Sequence, residues 1–295
     1  MICALFGWLW ILPYSMALLR CAEIVHHTNM RDWKTELTRR VLVLVAHADD
    51  ECVGYGALLQ KMRAPVLVIA TDGAPRDEYF WGRYGSREAY AAVRREEARR
   101  AAQAVGVREL VLLAEQWSGP EGHLLEGRRL EDQRLFLNLP TAYGLLEELA
   151  ERTKPQAIAT MAYEGGHPDH DSCSVLGARL GERLDVPVWE AALYNRASDD
   201  GKSHVQKFVT ANGTEALVEI TAEELERKRA MCAEYPSQGE ILRVFDERRE
   251  VVRPQVRYNY ARRPHAGPVN YEHWQWWMTA DEVSAKFAEF LETTR

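Results

Sequence analysis

The chain has 295 residues, of which 46% are apolar and 27% are charged, and its formal net charge is −7. Composition this close to that of ordinary globular proteins excludes intrinsic disorder or a coiled coil over the whole length. An acidic chain without a basic stripe is a poor match for nucleic-acid phosphate, so we expect no nucleic-acid partner. The five cysteines form no Cys-x-x-Cys pair, which favours a reducing compartment and a cytoplasmic protein.

The N-terminal segment is the most apolar part of the sequence. Residues 1–19 carry no charged side chain, and about 20 apolar residues can cross a bilayer. Pro13 weakens this segment as a helix, and Arg20 after it would keep the following domain in the cytoplasm. Two interpretations remain open: membrane association through residues 1–19, or an unneeded extension before a start at Met30. We predict an N-terminal extension over 1–40 and a single domain over 41–295.

Strand and helix patterns alternate along the next part of the chain. Short apolar, β-branched runs of this kind are typical of strands buried on both faces. The predicted strands are 41–45, 66–69, 109–113, 157–160 and 186–189, and the predicted helices are 51–62, 87–104, 141–152 and 171–184. The alternation predicts a Rossmann-like, doubly wound, mainly parallel sheet with helices on both faces.

The remaining segments have weaker patterns. Residues 115–135 resemble a long surface insertion, and residues 204–220 resemble two antiparallel strands around Asn212-Gly213. A capping-box pattern opens a helix over 221–234. The aromatic C-terminal tail is expected to pack on the body, and the role of His265 within it stays open.

Two motifs rich in histidine and aspartate follow the first and fourth strands. Because these strands flank the point where strand order reverses, their carboxyl ends should face one crevice. The motifs bring together His47, Asp49, Asp50, His167, Asp169 and His170. Imidazoles with a carboxylate are the ligands of a catalytic zinc or a related divalent metal, and three protein ligands leave room for water. Taken alone, the first motif is more often a helix cap than a metal site, and the second could be a turn at Pro168.

The same motifs resemble those of a known family. Ala46-His47-Ala48-Asp49-Asp50-Glu51, followed later by Gly166-His167-Pro168-Asp169-His170, is similar to the pattern of the LmbE-like, or PIG-L, metal-dependent de-N-acetylases. The resemblance covers about residues 41–190, and Arg94, Glu97 and Thr71-Asp72-Gly73 also match. Ala48 stands where the family usually has Pro, and Gly165 where one branch has Tyr, while nearby Tyr163 is not aligned with that position.

The resemblance implies a metal site and an activity. The implied ligands are His47, Asp50 and His170, holding Zn²⁺ or another divalent metal such as Fe²⁺. The implied reaction is removal of acetyl from an N-acetylated amino sugar, either a small molecule or a glycolipid. Two other interpretations remain open: a non-catalytic nucleotide- or sugar-nucleotide-binding module on this fold, and an amidase for a different acyl group. The oligomeric state is not predicted.

The resemblance also implies roles for the neighbouring residues. Asp49 would be the general base, and His167 would stabilise the tetrahedral intermediate or protonate the leaving amine. Asp169 would orient an imidazole from behind the ligands, and Arg94 would reach the substrate.

Overall fold

The computed structural model describes residues 31–116, 130–198 and 200–294. Residues 1–19, for which a membrane anchor is one of the two open interpretations, lie outside these ranges. Within them, no helix has the length and apolar character needed to cross a bilayer. The first described helix lies inside the predicted extension, and its Trp33, with the following Leu37, is buried in the core. The division into 1–40 and 41–295 remains a prediction.

The helices and strands follow one another in the predicted alternation. The strands among the described residues are β1 (Val41–Val45), β2 (Val66–Ile69), β3 (Glu109–Leu112), β4 (Ala157–Met161), β5 (Val188–Ala191), β6 (Tyr194–Asn195), β7 (His204–Val205), β8 (Ala216–Leu217) and β9 (Val251–Pro254). The α-helices among them are α1 (Trp33–Glu36), α2 (Asp50–Tyr55), α3 (Leu58–Lys61), α4 (Glu78–Trp81), α5 (Arg87–Ala104), α6 (Leu113–Gln116), α7 (Leu139–Thr153), α8 (Pro168–Leu184), α9 (Ala222–Ala233), α10 (Gly239–Leu242), α11 (Asn270–His273) and α12 (Ala280–Thr293).

A mixed sheet forms the centre of the fold. Its strand order among the described residues is β3-β2-β1-β4-β5-β9-β8. The first five strands in this order are parallel, whereas β9 and β8 are antiparallel additions at one edge. β1 and β4 are buried along their whole length, as expected of strands covered on both faces. The predicted doubly wound, mainly parallel sheet is therefore confirmed.

The two motifs leave the sheet at its middle. Strand β1 pairs with β4 in parallel, with Val41 opposite Ala157 and Val43 opposite Ala159. The chain order reverses here, because β2 and β3 lie on one side of β1 while β4 and β5 lie on the other. Helices α2 and α8 start directly after these strands, so their first turns meet above the same sheet edge.

Helix α8 approaches the sheet closely because small residues face it. A Cβ added at Gly177 would lie 2.7 Å from the Cγ2 atom of Thr160 on β4. Only hydrogen fits in that space, so the glycine sets the distance between the helix and the strand. The helix begins at Pro168, three residues earlier than predicted, so His170 lies in its first turn.

Two of the predictions for the segments with weaker patterns are wrong. Residues 204–220 form no hairpin: β7 pairs with β6, and β8 pairs with β9. The Asn212-Gly213 turn is closed locally instead, because both backbone N–H groups donate to the Glu215 carboxylate. The predicted surface insertion over 115–135 is described by the structure only from residue 130 on. This end of it is not on the surface, because Leu130 and Leu135 are buried.

Candidate metal-dependent active site

The turn after β1 sets the direction of the first motif. Asp49 has φ 130°, a left-handed conformation that is costly for a residue with a Cβ and is found most often at functional sites. Its backbone N–H donates to Glu51 Oε2 at 3.0 Å, and the His47 N–H donates to Asp50 Oδ2 at 2.8 Å. These side-chain acceptors hold the turn so that Asp49 and Asp50 both line the cavity.

The start of α8 sets the second motif. The Nδ1 atom of His167 accepts a hydrogen bond from the Asp169 backbone N–H at 3.1 Å, so this imidazole is the N-cap of the helix. An accepting Nδ1 carries no proton, which leaves the proton on Nε2. His167 therefore presents an Nε2–H donor to the cavity that it lines.

The three predicted ligands converge. One oxygen of Asp50 lies 3.3 Å from His47 Nδ1, and the other lies 3.2 Å from His170 Nε2. All three side chains are buried. His47, His167 and His170 also place one ring nitrogen each within 4.8 Å of one another, so His167 borders the same space.

Asp169 contacts the ring nitrogen of His47 that does not face Asp50. Its Oδ2 is 3.2 Å from His47 Nε2, and its two oxygens accept the backbone N–H groups of Gln133 at 2.6 Å and Leu135 at 2.9 Å. An acceptor at Nε2 holds the proton on that nitrogen, which leaves Nδ1 as the nitrogen that would bind a metal.

Asp132 is a site residue that the sequence analysis missed. Its Oδ1 lies 3.3 Å from His47 Nε2 and 3.4 Å from His167 Nε2. It belongs to the segment predicted as a surface insertion, and no motif or periodicity marks it. The only signal was chemical: the acidic pair Glu131-Asp132 in the segment that follows β3, the edge strand of the parallel half of the sheet.

The charges of the site fit a cation. Burial opposes a charged imidazole at His47, yet Asp132, Asp169 and Asp50 together raise the pKa of His47 well above its usual value. Burial would likewise raise the pKa of Asp50, but His170 and His47 lower it well below the usual range. The raised pKa of His47 indicates that the surrounding carboxylates favour a positive charge at this position. With two imidazoles and a carboxylate converging, this donor set suits a divalent metal such as zinc.

Asp49 and Arg94 form the next part of the site. Arg94 Nη2 donates to Asp49 Oδ1 at 3.3 Å, while its Nε and Nη1 are buried without a partner in the described structure. Burial raises the pKa of Asp49 to about 6 against the opposing charge of Arg94. At neutral pH the carboxylate is therefore mostly ionised but close to the pKa suited to a general base.

The residues line one cavity of about 510 Å³. It contains His47, Asp49, Asp50, Arg94, Asp132, His167 and His170. Tyr194 from β6 also lines it, with its ring 5.2 Å from that of His170. Tyr163 points elsewhere, donating to Arg262 O at 2.7 Å, and His265 is not among the lining residues.

Comparisons with known proteins agree with this geometry. Residues 42–180 match the model of the PIG-L family, described as GlcNAc-PI de-N-acetylase. A search of curated proteins finds no match.

Solved structures show the same fold. A zinc-inhibited form of teicoplanin deacetylase Orf2 aligns with TM-score 0.53 at 18% identity, and a triple mutant of a deacetylase of the teicoplanin biosynthetic pathway aligns with TM-score 0.56 at 18% identity. The A40926 pseudoaglycone deacetylase Dbv21 aligns with TM-score 0.52 at 16% identity. Each alignment covers 74% of this chain and 98% of the other.

Proposed function

The chain belongs to the PIG-L family, and from that premise we propose that it is a metal-dependent hydrolase that removes acetyl from an N-acetylated amino sugar. The observation that carries the proposal is the placement of Asp50 between His47 Nδ1 and His170 Nε2, at 3.3 and 3.2 Å. Zinc is the metal we propose first, with iron(II) as the alternative. Residues 41–295 would act as one catalytic domain.

The proposed ligands are His47, Asp50 and His170. A divalent metal held by them would polarise the amide carbonyl and lower the pKa of water toward neutrality. Asp169 would keep His47 in the required tautomer through its 3.2 Å contact with Nε2.

Asp49 is the proposed general base. Its carboxylate would take a proton from the attacking water as oxygen adds to the amide carbon. It would then return a proton to nitrogen as the C–N bond breaks, leaving acetate and the free amine. Its pKa of about 6 allows both directions of transfer near neutral pH.

His167 and Arg94 are proposed to hold the substrate through the reaction. Burial, together with the nearby charge of His47, lowers the pKa of His167, so the imidazole is neutral at pH 7 and its Nε2–H can donate to the oxyanion. The unpartnered N–H groups at Nε and Nη1 of Arg94 would donate to a sugar hydroxyl or another polar group of the substrate.

The proposal is tested by metal content and acetate release. Asp49→Asn should keep its metal and lose at least about 100-fold in kcat, because proton transfer contributes about 10²–10⁴-fold. His170→Ala should lose the metal. His265→Ala is the matched control, since His265 does not line the cavity, and it should change neither quantity. Full metal occupancy in His170→Ala, or normal turnover in Asp49→Asn, would overturn the assignments.

A further inference from the structure

One side of the active-site cavity is built from apolar side chains. An aromatic series starts at the site itself, where the ring of Trp276 lies 4.9 Å from that of His167 and the ring of Tyr194 lies 5.2 Å from that of His170. Trp274 extends the series, 5.3 Å from Trp276 and 6.1 Å from Tyr194.

Aliphatic and aromatic residues from the α10 region complete this side. Phe245 lies 6.3 Å from Tyr194, and Ile241 and Val244 line the same cavity. We call Tyr194, Ile241, Val244, Phe245, Trp274 and Trp276 the apolar wall.

The apolar wall reaches solvent at the cavity mouth. Ile241 is 49% exposed, Val244 60% and Trp274 43%. Large apolar side chains grouped at the mouth of a cavity lose the free energy of burial until a ligand covers them. Their arrangement therefore indicates a ligand that is apolar where it meets the wall.

Hydrogen-bonding groups also line the cavity, among them Gln238, Tyr90 and Arg94. Gln238 Nε2 donates to the Tyr90 hydroxyl at 2.7 Å, and Arg94 contributes its charge to the surroundings of Tyr90. The hydroxyls of an amino sugar need such hydrogen-bond partners. Against the apolar wall these hydroxyls would be left unpaired. The acetyl group has two carbons, whereas a cavity of about 510 Å³ is in the range that takes drug-sized ligands.

We infer that the substrate carries a large apolar group, an alkyl chain or an aromatic ring system, that packs against the apolar wall while its amide reaches the metal site. This inference rests on the proposed function and specifies the substrate class. The apolar group could belong to the aglycone or to the acyl group that is removed. In either case water adds to the amide carbon, the C–N bond breaks, and a carboxylate and an amine are released.

Two substrate series separate these sources. The first is a set of N-acetylglucosamine glycosides with methyl, butyl and octyl aglycones, assayed for acetate release. The second is a set of glucosamines N-acylated with acetyl, butyryl and octanoyl groups, assayed for the free amine. Because burial of a methylene changes an equilibrium about threefold to fourfold, we expect kcat/KM to rise at least about 30-fold from the shortest to the longest member of one series. A rise in the first series assigns the aglycone, and a rise in the second assigns the acyl group. Flat or falling values in both series would overturn the inference.

Variants of the apolar wall test its residues directly. Ile241→Gln and Val244→Gln are exposed positions that should fold, and each should lower the ratio of kcat/KM between the longest and shortest substrates. Leu217→Gln is the matched control, because Leu217 is 59% exposed and does not line the cavity, and its ratio should stay that of the unaltered chain. An unchanged ratio in both wall variants would overturn the assignment of these residues.

A binding measurement separates this inference from the proposed function. Alkyl glucosaminides contain no amide, and their binding can be followed by the intrinsic tryptophan fluorescence, to which Trp274 and Trp276 contribute, whether or not the protein hydrolyses anything. Affinity that rises with alkyl length supports the apolar wall even if no amide is cleaved. Affinity that is independent of length overturns it even if acetate is released.

Discussion

His167 has two roles in the structure, and each ring nitrogen carries one of them. Nδ1 caps α8 through the Asp169 N–H at 3.1 Å, and Nε2 faces the cavity. Replacing His167 with Asn should keep the cap, since Asn is among the best N-cap residues, whereas Ala should lose it. Both variants remove the Nε2–H donor, so both should lose about 10²–10³-fold in kcat.

The cap makes a separate and smaller contribution, to stability. Loss of an N-cap costs about 1 kcal/mol, which lowers the Tm of a protein of this size by about 1.5–2 °C. We therefore expect His167→Ala to unfold about 1.5–2 °C below His167→Asn in calorimetric scans at equal metal content. Normal turnover in His167→Asn would refute the donor role. Equal Tm values for the two variants would refute the cap.

Three further substitutions test the surroundings of the site. Asp169→Asn should weaken metal affinity about 10–100-fold, because it replaces the acceptor that faces His47, and competition with a chromophoric chelator would detect this; unchanged affinity would contradict the orienting role. Gly177→Ala should lower the free energy of unfolding, measured in urea, by about 1–3 kcal/mol, because the added Cβ would lie 2.7 Å from Thr160 Cγ2. An unchanged urea midpoint would show that α8 can move away from β4 without cost. Tyr163→Phe should keep turnover and lose about 1 kcal/mol in the free energy of unfolding, because the Tyr163 hydroxyl bonds to Arg262 O and Ser284 and not to the site. A large loss of turnover would show that Tyr163 acts in the reaction.

The parallel half of the sheet was predictable because its signals are local. Strand β1 is a continuous apolar run, and α5 spans the predicted residues 87–104. Ser86 caps that helix through the Ala89 N–H, and Gly106 takes a positive φ just after its end. Such boundaries depend on neighbours in sequence, which a single chain displays directly.

The antiparallel edge was not predictable because its pairings are distant. The hairpin predicted at Asn212-Gly213 followed a sound local rule, yet β8 pairs with β9 through Ala216 and Val252. Sequence periodicity does not reveal which of several short strands will pair across such a separation. The apolar wall was missed for the same reason, since β6, α10 and the tail meet only in three dimensions.

Within the site, motif residues were found and their partner was not. His47 and His170 stand in recognisable spacings, whereas Asp132 has no neighbour in sequence that marks it. Its position depends on Asp169, which accepts the backbone N–H groups of Gln133 and Leu135, just after Asp132 in the chain. A residue placed by backbone contacts with another segment leaves no pattern in its own sequence.

The turn at Asp49 shows why the last acid of the first motif matters. A φ of 130° at a non-glycine residue costs about 1–3 kcal/mol and persists only where other contacts hold it. Glu51 provides such a contact by accepting the Asp49 N–H at 3.0 Å, and the Tyr235 hydroxyl donates to its other oxygen. Glu51 does not line the cavity, so its effect on the site is indirect. It fixes the backbone that turns the Asp49 carboxylate toward Arg94 while Asp50, one residue later, reaches the two imidazoles.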